Sequence, residues 1–199
     1  GKAYYADGFP VILYERHVFK KYTKGRYNIS HPELSGKRGN YGAGGQNQRN
    51  KFNQAFALNP NAAMKSCSWG RFQIMGFNHE VCGYKTVAEF VDAMKESEGK
   101  QLDAFVNFVI GNNLADELRR KDWAKFAFGY NGAGYAQNAY DVKMAKAYKK
   151  YLKTSAVTHS IPPVAEPAPE SASSANISPS SSTDQPTTEL PPNNTQTVK

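Results

Sequence analysis

The run Phe9-Pro10-Val11-Ile12-Leu13-Tyr14 is short, apolar and β-branched, follows Gly8, and predicts a strand that ends at the charged cluster Glu15-Arg16-His17. Glycine and polar residues dominate Lys24-Gly25-Arg26 and then Ser35 to Gly45, a pattern for a long loop or a small irregular hairpin. From Asn47 the spacing becomes helical, with Phe52, Ala55, Phe56 and Leu58 before a stop at Asn59-Pro60, and Asn61-Ala62-Ala63-Met64 begins another short helix. Thr86-Val87-Ala88-Glu89 fits a capping box for a helix reaching about Lys95. Leu102, Phe105, Val106, Val109 and Ile110 recur at three- and four-residue spacing, which predicts one apolar face of a helix ending near Gly111. Asp122 is placed to cap a helix through Trp123 and Phe128. A last amphipathic helix sets Tyr140, Met144, Tyr148 and Tyr151 on one side and lysines on the other. The expected fold class is mainly α (α+β), with a small β-element near the start.

Composition divides the chain. Nearly all large apolar residues precede Thr154, and the remainder is rich in Pro, Ser, Thr, Ala and Asn. A segment of that kind cannot bury enough surface to offset its chain entropy. The expected organisation is one domain over 1–153 and a disordered linker or tail over 154–199. The net charge is +8; the tail contributes −3 (Glu166, Glu170, Asp184 and Glu189 against Lys199), so the domain carries +11. Such a surface attracts a polyanion. The lysines and arginines are scattered and match no nucleic-acid-binding signature, so nucleic acid is not the expected partner. Cys67 and Cys82, with His17, His31, His79 and His159, show no metal-binding spacing, and no metal or cofactor is expected. The two cysteines leave a disulfide and a pair of buried thiols both open. No apolar run is long enough to span a membrane.

Two clusters carry candidate chemistry: Ser68-Trp69-Gly70-Arg71-Phe72-Gln73-Ile74-Met75-Gly76 and Tyr130-Asn131-Gly132-Ala133-Gly134. Glycine lets backbone approach a ligand, aromatic rings cover the apolar faces of sugars, and amides bond hydroxyl and N-acetyl groups. Gln73 can bond a sugar or tie a turn, and Tyr130 can direct its hydroxyl at a carboxylate or fill the core. Cleaving a glycosidic bond also calls for a carboxyl group. Glu15 follows an apolar strand, where a carboxylate is either an active-site group or one half of an ion pair. Glu33 lies in a loop that would border a cleft, and Glu98 heads a helix, where it suits the helix dipole.

With these residues in view, a resemblance is evident. Ile12 to Phe19, Ser66 to Asn78, Asp122-Trp123 and Tyr130-Asn131-Gly132 resemble the N-acetylmuramidase family of phage endolysins and bacterial cell-wall enzymes, from Gly1 to about Lys153. More distantly, Gly70 to Met75 and Tyr130 to Gly134 are similar to motifs of goose-type lysozymes and soluble lytic transglycosylases. The resemblance implies a lysozyme-like fold, with a cleft between a helical lobe and a small β-lobe. It implies hydrolysis of peptidoglycan between N-acetylmuramic acid and N-acetylglucosamine, with Glu15 as the catalytic carboxylate and Glu33 as the candidate second one. Ser68, Trp69, Gln73, Tyr130 and Asn131 would line the sugar subsites. Peptidoglycan glycan strands and the anionic cell envelope are the implied partners of a monomer acting at the bacterial wall, whether periplasmic, secreted or phage-delivered. In the family, a helix ending in Val-Glu-Ser or similar precedes the stretch matched by Tyr4 to Pro10, and its glutamate is the expected general acid. The expectation is therefore of a domain truncated at its N-terminus. A lytic transglycosylase and a catalytically silent wall-binding module are the competing readings.

Overall fold

A computed structural model of the chain describes residues 1–158, with side chains through residue 152. In order they form β1 (Ile12–Tyr14), α1 (Arg16–Tyr22), α2 (Gln46–Leu58), α3 (Pro60–Lys65), β2 (Cys67–Trp69) and β3 (Ile74–Met75). A 3-10 turn (Gly76–Asn78) follows, then α4 (Val87–Glu96), α5 (Glu98–Gly111), α6 (Ala115–Arg120) and α7 (Trp123–Asn131). A second 3-10 turn (Ala133–Asn138) leads into α8 (Tyr140–Thr158). The fold is mainly helical around a small sheet, as expected. The helix α8 runs through the boundary drawn at residue 153; the rest of the segment expected to be a tail lies outside the described residues.

The sheet is antiparallel in the order β1-β2-β3, with Ile12 opposite Trp69, Leu13 opposite Ser68, and Tyr14 opposite Cys67. Trp69 in turn faces Ile74, and Ser68 faces Met75. Side chains directly opposite one another share a face. Ile12, Trp69 and Ile74 therefore point into the core with Phe52, Ala63 and Phe90, while Leu13, Ser68 and Met75 form the opposite, partly open face. Helix ends are closed locally. Asn59 accepts from the Ala62 amide at 2.9 Å, Thr86 from Glu89 at 3.2 Å and Asp122 from Lys125 at 3.1 Å.

Two elements depart from the expected pattern. The charged cluster after β1 is not a simple strand end, because Arg16 opens α1, whose Val18 and Phe19 are buried. Two apolar positions in seven residues are too few to register as a period. On α5 the expected apolar face is displaced. Leu102, Val106 and Ile110 are 48%, 44% and 61% exposed, while Gln101, Ala104, Phe108 and Val109 are buried. The helix is apolar on most sides, so periodicity alone selects its largest residues. Two hydrogen bonds turn it instead: Gln101 accepts from the Arg71 amide at 2.7 Å and donates to the Met94 carbonyl at 2.9 Å. A buried amide with both ends satisfied costs little to bury. Cys67 and Cys82 are buried free thiols, and burial pushes the Cys82 thiol up to about 12.

Candidate active site

Glu15 stands at the hinge between β1 and α1, with its amide donating to the Ser66 carbonyl at 2.8 Å. It is 8% exposed. The pleat carries it to the same side as Leu13, two residues earlier, and so to the open face of the sheet. The Tyr41 hydroxyl donates to both carboxylate oxygens, at 3.1 and 3.0 Å. His17 brings Nδ1 to 3.1 Å from Oε2, although its N–H direction leaves that nitrogen without a well-aimed bond. Burial holds the His17 imidazole below its ordinary value; the Glu15 charge opposes that and the Arg38 charge adds to it. The Tyr41 phenol is pushed up, first by burial and then by the Glu15 charge, so it keeps its proton and remains a donor.

Tyr41 lies in the glycine-rich loop, and what places it there is α2. Gln48, buried on the first turn of α2, accepts from the Tyr14 amide at 3.0 Å and donates to the carbonyls of Tyr41 at 2.6 Å and Ala43 at 3.3 Å. Lys51, one turn on, donates to the carbonyls of Asn40 at 2.6 Å and Tyr41 at 2.9 Å. Strand, loop and helix are thus joined behind the carboxylate by one amide. Replacing Gln48 by Ala orphans the buried Tyr14 N–H and leaves the Tyr41 carbonyl to Lys51 alone, which costs about 2 kcal/mol. The expected result is a lower urea midpoint at unchanged m-value, measured by circular dichroism.

The two sequence clusters meet. The Tyr130 hydroxyl donates to the Phe72 carbonyl at 2.7 Å, and its ring stacks on Phe126 at 5.5 Å. Burial pushes the Tyr130 phenol up, which keeps it a donor. Gln73 has φ of +52°, and its amide is fully used: it accepts from Ser68 Oγ at 2.7 Å and donates to the carbonyls of Gly70 at 2.9 Å and Val11 at 3.1 Å. It ties the β2–β3 turn to β1, so of its two readings the turn is what the contacts display, although the side chain sits at an exposed position. A non-glycine residue in the left-handed region costs about 1 kcal/mol and persists only where its surroundings hold it. Asn131, at the end of α7, is exposed and makes no side-chain hydrogen bond among the described residues.

Trp69 requires a correction. It is fully buried, packed edge-on against Phe52 at 5.3 Å and near Phe9 at 6.1 Å, with Nε1 donating to the Met64 carbonyl at 3.1 Å. Its position in the strand pairs it with Ile12 and Ile74, on the core face, where no sugar can reach the ring. Ser68, its neighbour on the other face, is also buried and bonded to Gln73. Glu33 shares no hydrogen bond or ion pair with Glu15 among the described residues; its charge is felt at Tyr14 and Lys51. Tyr41 and Gln48 were not read from the sequence. A tyrosine in a glycine loop and a glutamine in a helix carry no local sign of a partner tens of residues away.

The N-acetylmuramidase family profile matches residues 1–152. No curated protein matches the chain. Among solved structures, the chain is similar to the crystal structure of Burkholderia AP3 phage endolysin, with 44% identity and a TM-score of 0.69 over 78% of this chain. The match spans 60% of that chain's length. The likeness carries the lysozyme-like arrangement of helices against a small sheet that the motifs led one to expect. With the family profile covering the whole described domain up to its last helix, the chain belongs to the N-acetylmuramidase family.

Proposed function

We propose that this chain hydrolyses peptidoglycan glycan strands between N-acetylmuramic acid and N-acetylglucosamine, with Glu15 as the working carboxyl group. Family membership supports the reaction class, and the similar solved structure is that of a phage endolysin. The observation that carries the residue assignment is the Glu15 carboxyl held from the open face of the sheet by Tyr41. One carboxyl group can serve both halves of the reaction. As the acid, Glu15 gives its proton to the glycosidic oxygen, the C1–O bond breaks, and the N-acetylglucosamine 4-hydroxyl leaves. As the base, the resulting carboxylate takes a proton from water as the water oxygen bonds to C1 of the muramic acid. Between these steps the Tyr41 hydroxyl donates to the carboxylate and stabilises its charge. Glu33 is the candidate second carboxylate, and Gln73, Tyr130 and Asn131 lie at the far end of the sheet as sugar contacts. Val11, which Gln73 bonds, lies roughly 13 Å from Glu15 along the strand, so one glycan chain would run the length of the sheet. The basic domain surface favours adsorption to an anionic envelope.

Digestion of purified peptidoglycan followed by borohydride reduction and mass spectrometry is the test. Reducible muramic acid ends are expected. Anhydro-muramic ends would instead show that the 6-hydroxyl of the same sugar attacks C1 in place of water. Sedimentation of the chain with insoluble peptidoglycan and no released fragments would leave only wall binding.

A further inference from the structure

A second feature begins where the Glu15 site ends. A groove of about 450 Å³ is lined by His17, Lys20, Lys21, Lys24, Gly25 and Asn28. Positions 17, 20 and 21 share one face of α1, and Lys24, just past the end of that helix, lines the same groove. None of the three lysines makes an ion pair among the described residues, and no acidic side chain lines the groove. Asn28 adds a donor: its Oδ1 is taken by the Ser35 hydroxyl at 2.7 Å, which leaves the NH2 group to face Gly25, where an added Cβ would lie 2.9 Å from Nδ2. His17 joins the groove to the carboxylate, since its Nδ1 lies 3.1 Å from Glu15 Oε2.

The ordinary explanation for lysines at a helix C-terminus is the helix dipole. It covers Lys20 and Lys21, which lie in the last turn of α1. It does not cover Lys24, which follows the helix with φ of +51° and still turns to the same groove. Like charges this close repel one another, and a wall of donors without an acceptor suits an anionic ligand. The cavity is large for one carboxylate and falls in the range that holds a small molecule or short peptide.

We infer that this groove binds the acidic stem peptide carried by the muramic acid whose bond is cut, Lys20 and Lys24 pairing with its carboxylates. The inference rests on the reading that the chain cuts peptidoglycan. Muramic acid bears its peptide on the lactyl ether at C3 of the same ring whose C1–O bond is cut, so the stem leaves the cleft within one sugar ring of the catalytic carboxyl. The groove is a cationic feature adjoining that position, joined to it through His17. Specificity then resides in the peptide-bearing sugar, with the bare glycan a poorer substrate.

The test compares the full chain with a K20Q/K24Q variant on two forms of one substrate. These are purified glycan strands carrying their stems, and the same strands after an amidase has removed them. On stem-bearing strands the variant is expected to lose roughly tenfold in kcat/KM at low salt, a loss that shrinks at high salt. On stripped strands the two proteins should match. Equal rates on stem-bearing strands, or equal losses on both, would overturn the inference. Fluorescence anisotropy with a labelled acidic tetrapeptide stem reads the groove directly. Binding that is weakened in the variant supports the inference even if neither substrate is cut, in which case the hydrolase reading alone fails. Absence of tetrapeptide binding to the unaltered chain refutes the groove assignment. An affinity for wall-polymer phosphate without affinity for the tetrapeptide would do the same, by showing that the lysines serve another polyanion.

Discussion

Glu15→Gln is expected to lower peptidoglycan turnover by about 10²- to 10⁴-fold while leaving the fold in place, the usual range for loss of an acid–base group. The replacement is close to isosteric. The amide oxygen still accepts from Tyr41, which holds the carboxylate at 3.1 and 3.0 Å, so the Gly-rich loop keeps its anchor. Only the proton chemistry is removed. Tyr41→Phe is the graded companion. It deletes the hydroxyl that donates to Glu15 but leaves the loop tied through Gln48 and Lys51, whose bonds go to backbone carbonyls. A hydrogen bond to a charged group contributes about 1.5–3 kcal/mol, so a fall of roughly 10- to 100-fold is expected if the bond strengthens as Glu15 ionises. Rates of turbidity loss on peptidoglycan suspensions, with circular dichroism as the folding control, give both numbers. Full activity in Glu15→Gln would move the acid to another carboxyl group, and full activity in Tyr41→Phe with loss in Glu15→Gln would make Tyr41 a structural strap.

The parts of this molecule that were legible in the sequence are those whose causes are local. Caps at Thr86 and Asp122, the break at Asn59-Pro60 and the apolar run entering β1 each depend on residues within a turn of one another. The family motifs were legible for a related reason, since Ser68 to Gly76 folds into one hairpin stabilised by its own Gln73 and Ser68. What escaped was set by distant partners. The buried face of α5 follows from Gln101 reaching Arg71 and Met94, and periodicity had selected Leu102, Val106 and Ile110 instead. The distant partners of Glu15, which was itself a candidate from the sequence, escaped in the same way. Its hydroxyl donor comes from a loop 26 residues away, and the glutamine that places that loop on β1 lies 34 residues from its strand partner. An amide gives no sign in the sequence of whether a protein group or a sugar will satisfy it.

Trp69 tests that distinction most sharply, because its residue type suits a sugar platform and its position suits a core. Trp69→Ala is expected to destabilise the domain by about 3–5 kcal/mol, the range for removing a large buried aromatic side chain. The ring fills the space between Phe9 and Phe52, and its Nε1 satisfies the Met64 carbonyl just before β2. Truncation would leave a cavity at the centre of the three-stranded sheet and an unpaired carbonyl beneath it. For a domain of this size the midpoint of thermal unfolding should fall on the order of 10 °C. Trp69→Phe retains most of the apolar volume and loses the indole hydrogen bond, so about half that shift is expected. Both follow from thermal melts monitored by far-UV circular dichroism. A sugar-stacking role makes the opposite pair of forecasts, a raised KM with an unchanged melting point. The strand register favours the core role: Trp69 lies opposite Ile12 and Ile74, and turning it toward the open face would shift the pairing by one residue and carry Ser68 into the core in its place.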